Sequence, residues 1–145
     1  MVPPANSDNS APAPTGASVV VLRADAVLMV LRARAPLQGL WSFPGGRSEP
    51  GENAQATARR ELLEETALSV ERLIEIGAFR PAPDRSPLRL TVFAARAPSA
   101  LPRAGDDALQ AEFVPLSHVL LRPVTPGAVA WITRAILALS KPPLL

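Results

Sequence analysis

The sequence predicts an α+β domain in which a mixed β-sheet carries helices on its faces. Its apolar runs fall in the order strands, helix, strands, helix, and no internal repeat divides them. At 145 residues, 48% of them hydrophobic, the chain suits one compact domain with a substantial core. Fifteen Lys and Arg against thirteen Asp and Glu leave a formal charge of +2, a balance that gives no reason to expect nucleic acid as a partner. All but one of those cations are Arg, whose high pKa accounts for the basic isoelectric point. No run approaches the roughly 18 apolar residues of a membrane span, so no membrane partner is expected. The lack of Cys excludes a disulfide framework and a Cys-based metal site and is compatible with a reducing compartment; a cytoplasmic location is the expectation.

Residues 1–15, "MVPPANSDNSAPAPT", contain no Lys or Arg and no apolar run, and they read as a disordered tail ahead of a single domain at 16–145. From Ser18, "SVVVLRADAVLMVLRAR" holds two β-branched or Leu-rich runs around Ala24-Asp25, the pattern of adjacent strands joined by a short turn. A short extended piece follows at 41–43, halted by Pro44-Gly45-Gly46. After Pro50-Gly51 a helix is expected over 53–68, free of Gly and Pro, with Ala54, Ala58 and Leu62 as its packing stripe. "ERLIEIGAFR" and "LRLTVFAAR" read as two more strands around the loop "PAPDRSP", and "AEFVPL" as a short one. Thr125 is placed to cap, and Pro126 to open, a last helix that Pro142-Pro143 ends near Lys141.

The 53–68 helix carries the chemistry. Glu61, Glu64 and Glu65 lie within one turn, where like charges at i, i+3 and i, i+4 cost about 0.2–0.5 kcal/mol each, and near the C-terminal end, where the helix dipole disfavours acids. A solvated acidic face leaves that placement unexplained, whereas a bound cation explains it. Clustered carboxylates are hard oxygen donors suited to Mg²⁺ or Mn²⁺.

Gly46, Glu52, Arg60, Glu61, Leu62, Glu64, Glu65 and Leu68 fall on G-x5-E-x7-R-E-U-x-E-E-x-G-U, with U aliphatic, the pattern of the Nudix box. The chain therefore resembles a Nudix hydrolase. "GLWSFPGG" is similar to the segment that leads into such a box, and "PRAGDDALQAEFVPL" followed by "TPG" resembles the C-terminal half of small members often labelled ADP-ribose pyrophosphatases. The likeness covers roughly residues 17–140, with one departure inside the box: Ala67 stands where the family has Gly.

The resemblance implies a Nudix-type α/β/α sandwich and a set of roles. Glu61, Glu64 and Glu65 are implied to bind one or more Mg²⁺ or Mn²⁺ ions, with the Gly45 carbonyl as a further ligand and one of the glutamates as base. Arg60 is implied to orient the glutamates, the alternative being a surface pair with Glu64. Glu52 joins the catalytic set, although an acid in the first helical turn also gains from the dipole. Glu112 matches a position from which some members send an additional ligand or base; its alternative is an exposed strand start. Arg32, Arg34 and Arg80 are candidates to clamp phosphate, and Trp41 and Phe43 to stack on a base, against the plainer readings of surface arginines and core aromatics. His118 receives no role.

Such a site implies a metal-dependent hydrolase of a nucleoside diphosphate linked to another group, ADP-ribose or a nucleoside triphosphate, with water attacking phosphorus. The alternative is an inactive Nudix-fold regulator that binds nucleotide; a retired site has no reason to keep three mutually repelling acids. The partner expected is a small-molecule nucleotide, with homodimerisation left open.

Overall fold

The computed structural model of the chain describes residues 12–35 and 37–141. Seven strands among these residues form one sheet: β1 (Thr15–Arg23), β2 (Ala26–Arg32), β3 (Trp41–Ser42), β4 (Gly45–Arg47), β5 (Ile74–Phe79), β6 (Arg89–Arg96) and β7 (Ala108–Pro115). Their order is β3-β2-β1-β6-β5, with β4 also pairing β1 and β7 pairing β2. β1 and β6 run parallel and the other pairs antiparallel, so the sheet is mixed.

Side-chain alternation along β1 sorts the core into two layers. Ala17, Val19 and Val21 face helix α1 (Ala54–Thr66) with Leu28, Phe93 and Ala95, meeting Ala58 and Leu62 of that helix. Val20 faces the other way with Val27, Met29, Val92 and Val114, against Ile132, Ala135 and Leu139 of helix α2 (Ala128–Ser140). Because helices cover both faces, the central strand is apolar throughout its middle, and Val19, Val20 and Val21 are fully buried. The architecture is the α/β/α sandwich that the sequence predicts. Among the described residues no helix is long and apolar enough to cross a membrane.

Several local expectations change. The sheet begins inside the stretch assigned to the tail, since Thr15 pairs with Arg89 and the Arg89 amide donates to the Pro14 carbonyl. Residues 1–11 of that tail, and the Pro142-Pro143 stop, lie outside the described residues. Gly45-Gly46 does not simply break the chain; it forms strand β4 against β1. A Cβ on Gly45 would sit 2.5 Å from the Ala17 carbonyl oxygen, so the absence of side chains is what lets this backbone approach β1. β7 starts at Ala108, ahead of the expected "AEFVPL", and a 3-10 helix at Leu116–Leu121, unexpected from sequence, links it to α2. α2 is capped by Gly127 at φ 83 with no side-chain cap, and not by Thr125.

The ends of α1 follow local rules. Asn53 caps it, its side chain accepting from the Ala56 amide at 2.8 Å. At the other end Ala67 takes the left-handed conformation, φ 65, and its amide donates to the Leu63 carbonyl. Ala67 thus adopts the geometry for which the box supplies Gly, at a steric cost. Replacing Ala67 with Gly should raise stability by about 0.5–1 kcal/mol, or about 1–4 °C in melting temperature, read by scanning calorimetry. An unchanged or lower melting temperature would show that the left-handed residue is not strained.

Candidate active site

Helix α1 turns Glu61 and Glu65 toward the sheet, where they are 8% and 9% exposed, while Glu64 stays at the surface. Strand β4 meets them with backbone. The Gly45 amide donates to Glu65 Oε1 at 3.0 Å, and a Cβ on Gly46 would fall 1.7 Å from Glu61 Oε2. The first Gly of the box is therefore the space that the Glu61 carboxylate occupies.

A third element closes the cluster. The segment following β6 docks on the end of α1, where the Arg103 amide donates to the Thr66 carbonyl at 2.8 Å and the Gly105 amide to the Glu65 carbonyl at 3.2 Å, satisfying carbonyls the helix leaves open. Gly105 permits this approach, since a Cβ there would lie 2.6 Å from the Glu64 carbonyl oxygen. The next residue, Asp106, in a turn at φ 52, then brings its carboxylate among those of Glu61 and Glu64; one oxygen from each lies within 4.8 Å of the others. The sequence alone does not single out Asp106. The signal available there is a Gly followed by two acids ahead of a strand.

Arg60 fixes the other side. It makes a two-pronged contact with Glu52, Nε to Oε2 at 2.6 Å and Nη2 to Oε1 at 2.9 Å. Its Nη1 donates to Glu61 Oε1 and Glu64 Oε1, each at 3.1 Å, and its Nη2 to the Arg47 carbonyl at 2.9 Å. Arg60 hydrogen bonds, with help from the Glu49 amide, hold the Glu52 carboxyl down at about 2. Glu52 in turn pushes the Arg60 guanidinium further above its usual range. The resemblance groups Glu52 with the catalytic residues; the structure sets it behind Arg60, with both oxygens occupied, and not among the converging carboxylates.

Glu61 of the cluster and Glu65, which lies outside the converging three, behave oppositely to Glu52. Burial, and then the charge of Glu65, push the Glu61 carboxyl up to about 8. Burial pushes Glu65 up to about 7, opposed by the Gly45 amide and Arg32 and assisted by Asp106 and Asp107. Arg60 at Glu61, and the Gly45 amide and Arg32 at Glu65, work against these upward shifts without reversing them. Converging carboxylates, two of which share a single guanidinium, fit Mg²⁺ or Mn²⁺, hard ions that take a few protein oxygens and complete their shell with water.

The remaining candidates divide. Arg32, at the end of β2, acts electrostatically on Glu65, and Arg34 pairs with Asp107 at 3.0 Å, so both stand at the rim of the cluster. Glu112 does not join it. It lies opposite Met29 in the β2–β7 register, and Met29 belongs to the α2-side core, so strand alternation places Glu112 on the face away from α1. There it pairs with Arg122 at 2.8 Å. Trp41 is 8% exposed in the α2-side core with the Arg122 guanidinium 4.6 Å over its ring, so it offers no free stacking face, and Phe43 is a partly buried residue packed against the same core. Arg80 directs its Nη2 to the Pro83 and Ser86 carbonyls, each at 3.0 Å, bracing the loop after β5.

The chain is similar to several known proteins. The chain is 31% identical over 103 residues to the ADP-ribose pyrophosphatase of Methanocaldococcus jannaschii, a match covering 69% of this chain and 60% of that protein. It is 41% identical over 62 residues to the oxidized purine nucleoside triphosphate hydrolase of Danio rerio, covering 43% of this chain and 40% of that protein. The chain thus spans less than two thirds of the length of these curated relatives. Among solved structures, the NUDIX domain of Shewanella oneidensis NrtR, in complex with ADP ribose, superposes with a TM-score of 0.80 at 21% identity over 94% of each chain. A MutT NUDIX hydrolase from Burkholderia pseudomallei gives a TM-score of 0.72 at 24% identity, covering 83% of this chain and 96% of that one. Residues 12–135 match the NUDIX domain, and the chain belongs to the NUDIX family.

Proposed function

We propose that the chain hydrolyses a nucleoside diphosphate linked to a further group, with a divalent cation held by Glu61, Glu64 and Asp106. The observation that carries this reading is the convergence of those three carboxylates beside Arg60, two from helix α1 and one from the segment docked on its end. Mg²⁺ or Mn²⁺ bound there would neutralise diphosphate charge and activate water for in-line attack on phosphorus. The protein's own share is positional. Arg60 fixes the Glu61 and Glu64 carboxylates, the Gly45 amide fixes Glu65, and a carboxylate of this cluster accepts the proton of the attacking water. Arg32 and Arg34 at the rim supply guanidinium donors for phosphate oxygens, Arg34 by exchanging its exposed partner Asp107.

The relatives' names divide between ADP-ribose and oxidised purine triphosphates, and both contain the phosphoanhydride this site would grip. The lack of Cys is compatible with a reducing, cytoplasmic setting. The test is a panel of ADP-ribose, ordinary and oxidised nucleoside triphosphates and AMP, assayed with Mg²⁺ and Mn²⁺ in ¹⁸O-labelled water. ADP-ribose should give AMP and ribose 5-phosphate, a triphosphate should give a monophosphate and pyrophosphate, and one product phosphate should carry the label. AMP should remain intact, because a monoester gives the cation no second phosphoryl group to clamp. Label on a sugar carbon would show that the wrong bond is assigned. Nucleotide binding without turnover would favour the regulator reading.

A further inference from the structure

We infer that Thr57 is a positioning residue for the proposed reaction: its buried hydroxyl, set between Ser48 and Glu52, fixes the carboxylate that aims Arg60 at Glu61 and Glu64. The inference rests on the metal-hydrolase reading above. Thr57 is fully buried in the second turn of α1, beside Ala58 on the helix's packing face. Packing alone does not call for a hydroxyl there, because Val would fill the same space and a buried hydroxyl is unfavourable unless bonded.

The usual outlet for a helical Thr is the carbonyl four residues back, and Asn53 O does lie 3.0 Å from Oγ1. That carbonyl already accepts the Thr57 amide at 3.0 Å. Two further groups converge on the same oxygen: Glu52 Oε1 at 3.0 Å and Ser48 Oγ at 2.7 Å. One hydroxyl proton serves one acceptor best, and an ionised carboxylate is the strongest of the three. Ser48 can then donate to the Thr57 oxygen.

The result is a continuous chain from the sheet to the site. The Ser48 amide donates to the Thr15 carbonyl of β1 at 2.9 Å, and the side chains run on through Thr57 and Glu52 to Arg60. Without Thr57, Glu52 would keep the Glu49 amide, from an exposed loop residue, as its one anchor besides Arg60. Arg60 reaches Glu61 and Glu64 at 3.1 Å, so a swing of Glu52 is passed directly to the two carboxylates.

The test compares Thr57→Val, Thr57→Ser, Glu52→Gln and the double variant Thr57→Val/Glu52→Gln in the full chain. The readouts are Mn²⁺ binding without nucleotide, by electron paramagnetic resonance, then kcat and KM on a diphosphate that the wild type turns over, and melting temperature. Thr57→Val should weaken Mn²⁺ binding and lower kcat by several-fold to about tenfold with KM unchanged, at or below the low end of the roughly 10–100-fold lost with groups that bond the ligands directly, because Thr57 acts one contact further out. Thr57→Ser should stay within about twofold of wild type. Adding Thr57→Val to Glu52→Gln should cost nothing more, since both act on Arg60 through one contact. Wild-type Mn²⁺ binding and kcat in Thr57→Val, or additive losses in the double variant, would overturn the inference alone. No Mn²⁺ binding by the wild type would overturn the metal-site reading and this inference with it. Should Thr57→Val unfold, Ser48→Ala removes the far end of the chain: a two- to threefold loss of Mn²⁺ binding supports the inference and an unchanged affinity overturns it.

Discussion

Replacing Glu61 with Gln should cut turnover by at least about a hundredfold while leaving the metal-free protein at least as stable as wild type near pH 8. Glu61 is the point at which the site's contacts meet: it shares its oxygens with the Arg60 guanidinium and lies with Glu64 and Asp106 in the converging group. Its Oε2 also fills the room left by Gly46. Gln has the same size, so the space beside Gly46 stays filled and the helix keeps its packing. What changes is charge. A neutral amide offers a poorer ligand to a divalent cation and turns an N–H₂ donor toward carboxylates that should share that cation. Stability should move the other way, because burial and the neighbouring Glu65 work against the Glu61 charge. The measurements are kcat against Mg²⁺ concentration, and melting temperature with and without the metal. Activity near the wild-type level would sink the metal-site assignment, and an equal melting temperature would separate lost chemistry from lost fold.

The parts of this site that are legible in the sequence are those set within one helix. Spacings of three (Glu61 to Glu64) and four (Arg60 to Glu64) set these side chains beside one another on the helix, and Arg60 bonds both glutamates. The misplacements come from long-range geometry. The place of Glu112 in a familiar segment groups it with the cluster, yet its side of the sheet is decided by register against β2, and a shift of one residue would have turned it to the other face. Asp106 escapes notice because nothing near it in sequence shows that its segment docks on α1. That docking depends on the Arg103 and Gly105 amides meeting the Thr66 and Glu65 carbonyls, far back along the chain. Gly45-Gly46 reads as a break for a related reason, since its partner strand β1 lies well upstream, and only that pairing turns two small residues into a strand. Glu52 shows the limit of the motif itself: spacing brings it to Arg60, but not to the side of Arg60 on which the carboxylates converge.

Without divalent cation, the protein should lose stability as pH rises from about 5 to about 8. The usual acid dependence runs the other way, so the sign follows from which state holds the proton. An unfolded Glu releases its proton near 4.5, whereas folded Glu61 keeps it up to about 8 and Glu65 up to about 7. Between those values the folded state binds more protons than the unfolded state, and stability falls with each unit of pH. The two carboxyls repel one another and titrate as a pair, so the total loss is on the order of a few kcal/mol and not the sum of two independent shifts. Glu52 contributes in the opposite sense, because its depressed value adds stability above 4.5 that is lost as pH falls toward about 2. The metal-free optimum should therefore lie near pH 5, roughly where the two opposing contributions cross. Mg²⁺ binds the deprotonated carboxylates, so its stabilisation should grow with pH and flatten the profile up to about pH 8. Thermal melts across that range, with EDTA and with excess Mg²⁺, read both effects, and Glu61→Gln should remove much of the slope seen in EDTA. A flat profile in EDTA would mean that the protein already neutralises these carboxylates by itself, and the physical case for a cation between Glu61, Glu64 and Asp106 would fall with it.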